Sequence, residues 1–180
     1  MPFAYYARLS PARQRIYRQS DAIGTLALPA GLAAGAAVAA IRTRLERDDR
    51  AGVQAACQHL IDALVQGFGV PPIRMRVLAK RPADSGGELH GLYEPGDGPT
   101  LARVTVWMRT AQRKDVVAFR TFLRTLVHEL CHHLDYELYR LPETFHTEGF
   151  YKRESSLANA LFAQEAPDGS GPVAPAQKRV

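Results

Sequence analysis

The stretch from Asp115 to Leu134 constrains this chain more than any other. Val116, Val117, Phe119, Phe122, Leu123, Leu126, Val127, Leu130 and Leu134 recur at helical spacing, which predicts one long helix with a heavily apolar back. Asp115 reads as its N-cap or first-turn acid. In its C-terminal half this helix carries His128-Glu129-Leu130-Cys131-His132. Residues four apart leave one helix face a turn from each other. The two imidazoles can therefore grip one zinc ion, with Glu129 on the adjoining flank to take a proton from a metal-bound water. Six histidines and nine glutamates in 180 residues produce this pattern by chance about 0.01 times. A pair of core histidines is the competing explanation, and it would leave two rings and a carboxylate in need of buried partners.

The rest of the chain reads as helices, then strands, then helices. Ser10-Pro11 starts a short helix over 11–21, with Ser as cap and Pro in the first turn. A second helix is expected from after Pro29 to about Arg47. A third begins at Asp48 or Asp49 and runs to Phe68, where Gly69 and Pro71-Pro72 stop it. His59 falls off its apolar stripe and belongs on the surface. Strands are expected at 73–78, at 88–93 with His90 inside the sheet, and at 102–108. After a break at Leu141-Pro142, a last helix runs from Glu148 to about Gln164. The order argues for an α+β domain over residues 1–165, with a small sheet of about three strands packed on the long helix. The Pro- and Gly-rich residues 166–180 have little to bury and are expected to be disordered.

An apolar content of 46% and a charged content of 23% suit a soluble globular protein. Cys57 and Cys131 are too few for a disulfide framework, and buried free thiols in a reducing cytoplasm are expected. No stretch is long and apolar enough to predict a membrane span. The net charge of +5 admits contact with nucleic acid through a basic surface. That charge is uneven: residues 101–128 hold six Arg/Lys against Asp115, and residues 129–165 hold three against seven Asp/Glu. A solvated face accounts for either run.

A catalytic zinc needs a third protein ligand and an open position. Asp135, seven residues after His128 on the same face, is better placed to receive a ligand histidine's other N–H. His146, beyond the Pro142 break, and Glu154, on the next helix, both remain open as the ligand. His133 is rotated away from the His128 face.

The His128-Glu129-x-x-His132 motif resembles the zincin metallopeptidases. The segment His146-Thr147-Glu148-Gly149-Phe150-Tyr151-Lys152 resembles the third-ligand segment of the SprT-like (Spartan-like) family, in which a histidine followed four residues later by an aromatic completes the zinc site. Thr147 stands where that family often has Gly. Metzincins are excluded, because their third histidine follows the second by six residues. The resemblance implies a zincin-like fold, Zn²⁺ on His128, His132 and His146, and Glu129 as general base in peptide hydrolysis. It also implies an edge strand that pairs with extended protein or peptide substrate, a position that Arg103–Met108 matches. Tyr151 and Arg153 are candidates to stabilise the oxyanion. A non-catalytic, zinc-stabilised DNA-associated or regulatory module is the alternative.

Overall fold

A computed structural model describes residues 2–84 and 87–165. After a 3-10 turn at Ala4–Arg8 come helices α1 (Pro11–Asp21), α2 (Gly35–Glu46) and α3 (Arg50–Phe68). Strands β1 (Ile73–Lys80), β2 (Ala83–Asp84), β3 (Gly87–Glu88), β4 (Gly91–Glu94) and β5 (Ala102–Arg109) follow, then helices α4 (Phe119–Glu137) and α5 (Glu148–Glu165). The fold is α+β, as the order of sequence patterns implies. Local chemistry sets several of the helix ends. Ser10 accepts the Arg13 N–H at the start of α1, and the Asp49 carboxylate accepts that of Gly52 at the start of α3. Gly69, with φ of 66°, closes α3 in the left-handed conformation.

β5 lies in the middle of a three-stranded sheet ordered β1-β5-β4. β1 runs parallel to it, from Ile73 beside Ala102 to Lys80 beside Arg109. β4 runs antiparallel, from Gly91 beside Val106 to Glu94 beside Arg103. β2 and β3 form a separate two-stranded ribbon. One sheet face is apolar: Ile73, Met75, Val77, Val104, Val106 and Met108 are buried in the core with Leu123, Leu126, Val127 and Leu130 of α4. Truncating a side chain such as Leu130 to Ala would cost about 2–5 kcal/mol.

This topology corrects the expectation that Arg103–Met108 is an edge strand. Both sides of β5 are occupied, and among the described residues the outer edge of β4 has no strand partner. The outer edge of β1 is sealed instead by side chains of α3. Gln54 donates to Met75 O at 2.7 Å and accepts from Val77 N–H at 2.6 Å. Gln58 donates to Ile73 O at 2.9 Å and accepts from Met75 N–H at 2.8 Å. Arg50 reaches Val77 O at 3.4 Å.

Other boundaries differ for local reasons. The long helix starts at Phe119, not Asp115. Beyond β5 the chain turns tightly, with Thr110 N–H on Asp115 O and Lys114 at φ 58°. Val117 N–H then bonds Met108 O, which keeps this return alongside the strand end. α2 starts at Gly35 instead of just after Pro29, because Leu32 N–H closes a turn on Pro29 O with Gly31 at φ 74°. His90 lies between β3 and β4, exposed, and not inside a strand. His59 is on the surface as expected. Residues 166–180 lie outside the described part. Cys57 and Cys131 are free and buried, and burial pushes both thiols up. No helix among the described residues is long and apolar enough to cross a membrane.

Candidate metal centre

α4 brings His128 and His132 together, their rings 4.9 Å apart and nearly perpendicular. The chain leaves α4, turns at Arg140 (φ 54°) and passes Pro142, so that His146 returns to face them. Thr147 ends this return by capping α5, its hydroxyl accepting the Phe150 N–H at 2.9 Å. A glycine at this position would leave that N–H without the side-chain acceptor. The Nε2 of His146 stands 3.0 Å from that of His128 and 3.1 Å from that of His132. Zinc–nitrogen bonds of about 2.0–2.1 Å at tetrahedral angles place ligand nitrogens about 3.4 Å apart. Two of the three separations lie near that value and all three ligand nitrogens lie within 4.8 Å of one another, which suits a single cation of this class. Burial, reinforced by the neighbouring His128 and His146, pushes His132 down to about 3. Burial followed by His128 also lowers His146. Both rings are thus kept neutral, the state a metal requires of an imidazole.

Two of the rings are oriented from behind. His128 Nδ1 lies 2.9 Å from Glu154 Oε2, so its N–H points at a carboxylate and its Nε2 lone pair at the cluster. Glu154 therefore stands behind His128, away from the three converging nitrogens. His132 Nδ1 lies 2.8 Å from the Thr144 hydroxyl, which donates to Asp135 Oδ2 at 2.8 Å. Asp135 thus meets a histidine of the cluster only through Thr144, a residue that no sequence signal singled out. His146 is held by its backbone, whose carbonyl accepts the Tyr5 hydroxyl at 2.9 Å.

Glu129 is 6% exposed and sits against β4. A Cβ added at Gly91 would stand 2.4 Å from its Oε1 and 2.8 Å from its Cγ, so only glycine lets the carboxylate lie against the strand. Burial raises the Glu129 carboxyl to about 7, opposed by His128 and by the backbone N–H of Tyr93. The Tyr93 N–H thus faces away from β5, and Gly91, two residues away, turns the same way. A cleft of about 770 Å³ is lined by β4 and the histidine cluster together with Leu89, His90, Arg124 and Tyr151.

The remaining candidates separate clearly. His133 is 1% exposed. Its Nε2 donates to Pro71 O at 2.9 Å and its Nδ1 accepts the Tyr93 hydroxyl at 3.1 Å, so it ties β4 to the start of β1. Tyr151 is 41% exposed, lines the cleft and stacks on His146. Arg153 is 1% exposed and bound to Asp135 and Ser20, which removes it as an oxyanion donor. Comparison with known proteins found no matching family model, no matching curated protein and no matching solved structure.

Proposed function

We propose that this chain is a zinc-dependent metallopeptidase of the zincin type, nearest in its motifs to the SprT-like proteins. The observation that carries this reading is the convergence of three histidine Nε2 atoms, 3.0 and 3.1 Å apart, next to Glu129 at an open sheet edge. His128, His132 and His146 would hold the zinc, which when bound polarises a carbonyl and makes a coordinated water more acidic.

The other parts follow from this chain's own groups. Glu129, with a carboxyl raised to about 7 by burial, takes a proton from the attacking water on a carboxylate oxygen and passes it to the leaving amine. Once the Glu129 carboxylate leaves the Tyr93 N–H, the backbone groups of Gly91 and Tyr93 at the edge of β4 pair with an extended substrate, which makes binding tolerant of side-chain sequence. Tyr151 is placed beside His146 to donate its hydroxyl to the carbonyl oxygen that turns anionic as water adds.

The test combines metal content with one substitution. Wild type should bind one zinc, and Glu129→Gln should bind it equally while cleaving an unfolded protein about 10²–10⁴-fold more slowly. Undiminished cleavage by that variant ends the peptidase mechanism. Absence of zinc binding in wild type ends the metal reading altogether. Glu154→Ala should weaken zinc binding about 10–100-fold through loss of the His128 contact, and His146→Ala should weaken it more. The reverse ranking would make Glu154 the ligand.

A further inference from the structure

Asp135 and Arg153 are 0% and 1% exposed in their side chains and joined at 2.7 Å. Neither faces the cleft. Burying both charges is costly even when they are paired, and a hydrophobic pair of similar volume often serves stability as well. Both terminal nitrogens of Arg153 and both oxygens of Asp135 are nonetheless bonded. Arg153 donates to Ser20 O and Ile23 O, both at 2.6 Å, and to the Ser20 hydroxyl at 3.0 Å. Its other contact holds Asp135 Oδ1, which leaves Oδ2 to accept the Thr144 hydroxyl.

That last bond has a consequence for His132. The Thr144 hydroxyl has one hydrogen, and Asp135 takes it, so only oxygen lone pairs face His132 Nδ1 at 2.8 Å. A lone pair can only be met there by a ring N–H, and a neutral imidazole with N–H at Nδ1 carries its own lone pair at Nε2. We propose that Thr144, clamped by the Asp135–Arg153 pair, is a positioning residue that fixes the tautomer of His132 and aims its Nε2 at the metal position. The chain of contacts begins at the carbonyls of Ser20 and Ile23, so the end of α1 takes part in holding a metal ligand it never touches. This inference rests on the reading of the histidine cluster as a zinc site.

The experiment uses the full chain as wild type, Thr144→Val and Thr144→Ser. Zinc affinity is measured by competition with a chelating dye, and the ring nitrogens of His132 by long-range proton–nitrogen correlation NMR, with and without zinc. Thr144→Val keeps the shape and deletes the hydroxyl. It should weaken zinc binding about 10–100-fold and abolish the dominance of the Nδ1–H form in the metal-free protein. Thr144→Ser should restore both. Wild-type affinity in Thr144→Val, or a serine variant that restores nothing, overturns the proposal. If wild type binds no zinc, the metal reading fails by itself, and the ring spectrum of that same metal-free sample still decides whether Thr144 sets the tautomer.

Discussion

Along β1, the outward backbone groups from Ile73 O to Val77 O are taken by Gln58, Gln54 and Arg50 of α3. Along β4, the outward groups of Gly91 and Tyr93 face the cleft, and among the described residues Glu129 is the side chain that meets them, its carboxylate on the Tyr93 N–H. The sealed side works because two periodicities nearly match. Four helical residues advance about 6.0 Å and two strand residues about 6.6 Å. Three side chains spaced by four on α3 can therefore serve alternate residues of an antiparallel strand. An exposed strand edge invites pairing with other chains. Leaving one edge unpaired while covering the other concentrates that tendency where the histidines are.

The largest expected effect comes from obstructing the open edge. Gly91→Val puts carbon where the Glu129 carboxylate lies, and a displacement of about 1 Å at a reacting group can cost about 10²-fold. Its kcat/KM should drop by that order with zinc content unchanged, and undiminished turnover would remove β4 from the reaction. Next comes opening the sealed edge. Gln54→Leu or Gln58→Leu each strands backbone groups of β1, at a cost of about 1–3 kcal/mol, readable by urea denaturation. Turnover per folded molecule should hold. An equal loss of turnover would mean that the two edges are not functionally distinct. The smallest effect belongs to Tyr93→Phe, which deletes only the hydroxyl bond to His133. It should cost about 0.5–1.5 kcal/mol of stability and raise KM more than it lowers kcat, because the edge loses one tether.

Elements set by their own residues were legible in the sequence. Ser10-Pro11, Asp49 and Gly69 mark the ends of α1 and α3, alternation marks β1 and a run of strand-forming residues marks β5, because caps, periodicity and propensity are local. The histidine cluster was legible for the same reason at His128 and His132, which share a helix. His146 needed family resemblance, since nothing between Pro142 and Glu148 shows by itself that the chain folds back. Strand order was not legible: β5 reads as the strongest strand whether it sits in the middle or at an edge. The start of α4 is not legible because Val116 and Val117 fit a helical stripe equally well as an extended return held by Met108. Thr144 and the two glutamines leave no mark in the sequence because their partners lie in distant contacts, not in any pattern of neighbours.

The bond from the Tyr5 hydroxyl to the His146 carbonyl joins residues 141 positions apart. During folding, a helix such as α4 forms within about a microsecond, which puts two of the three histidines in place early. The third waits for contacts of long sequence separation, whose loop closure makes them slow. If the cluster binds zinc as proposed, full-affinity capture should therefore come late in refolding, and a metal-indicator trace in a stopped-flow experiment would time the arrival of the completed native chain and not its initial collapse.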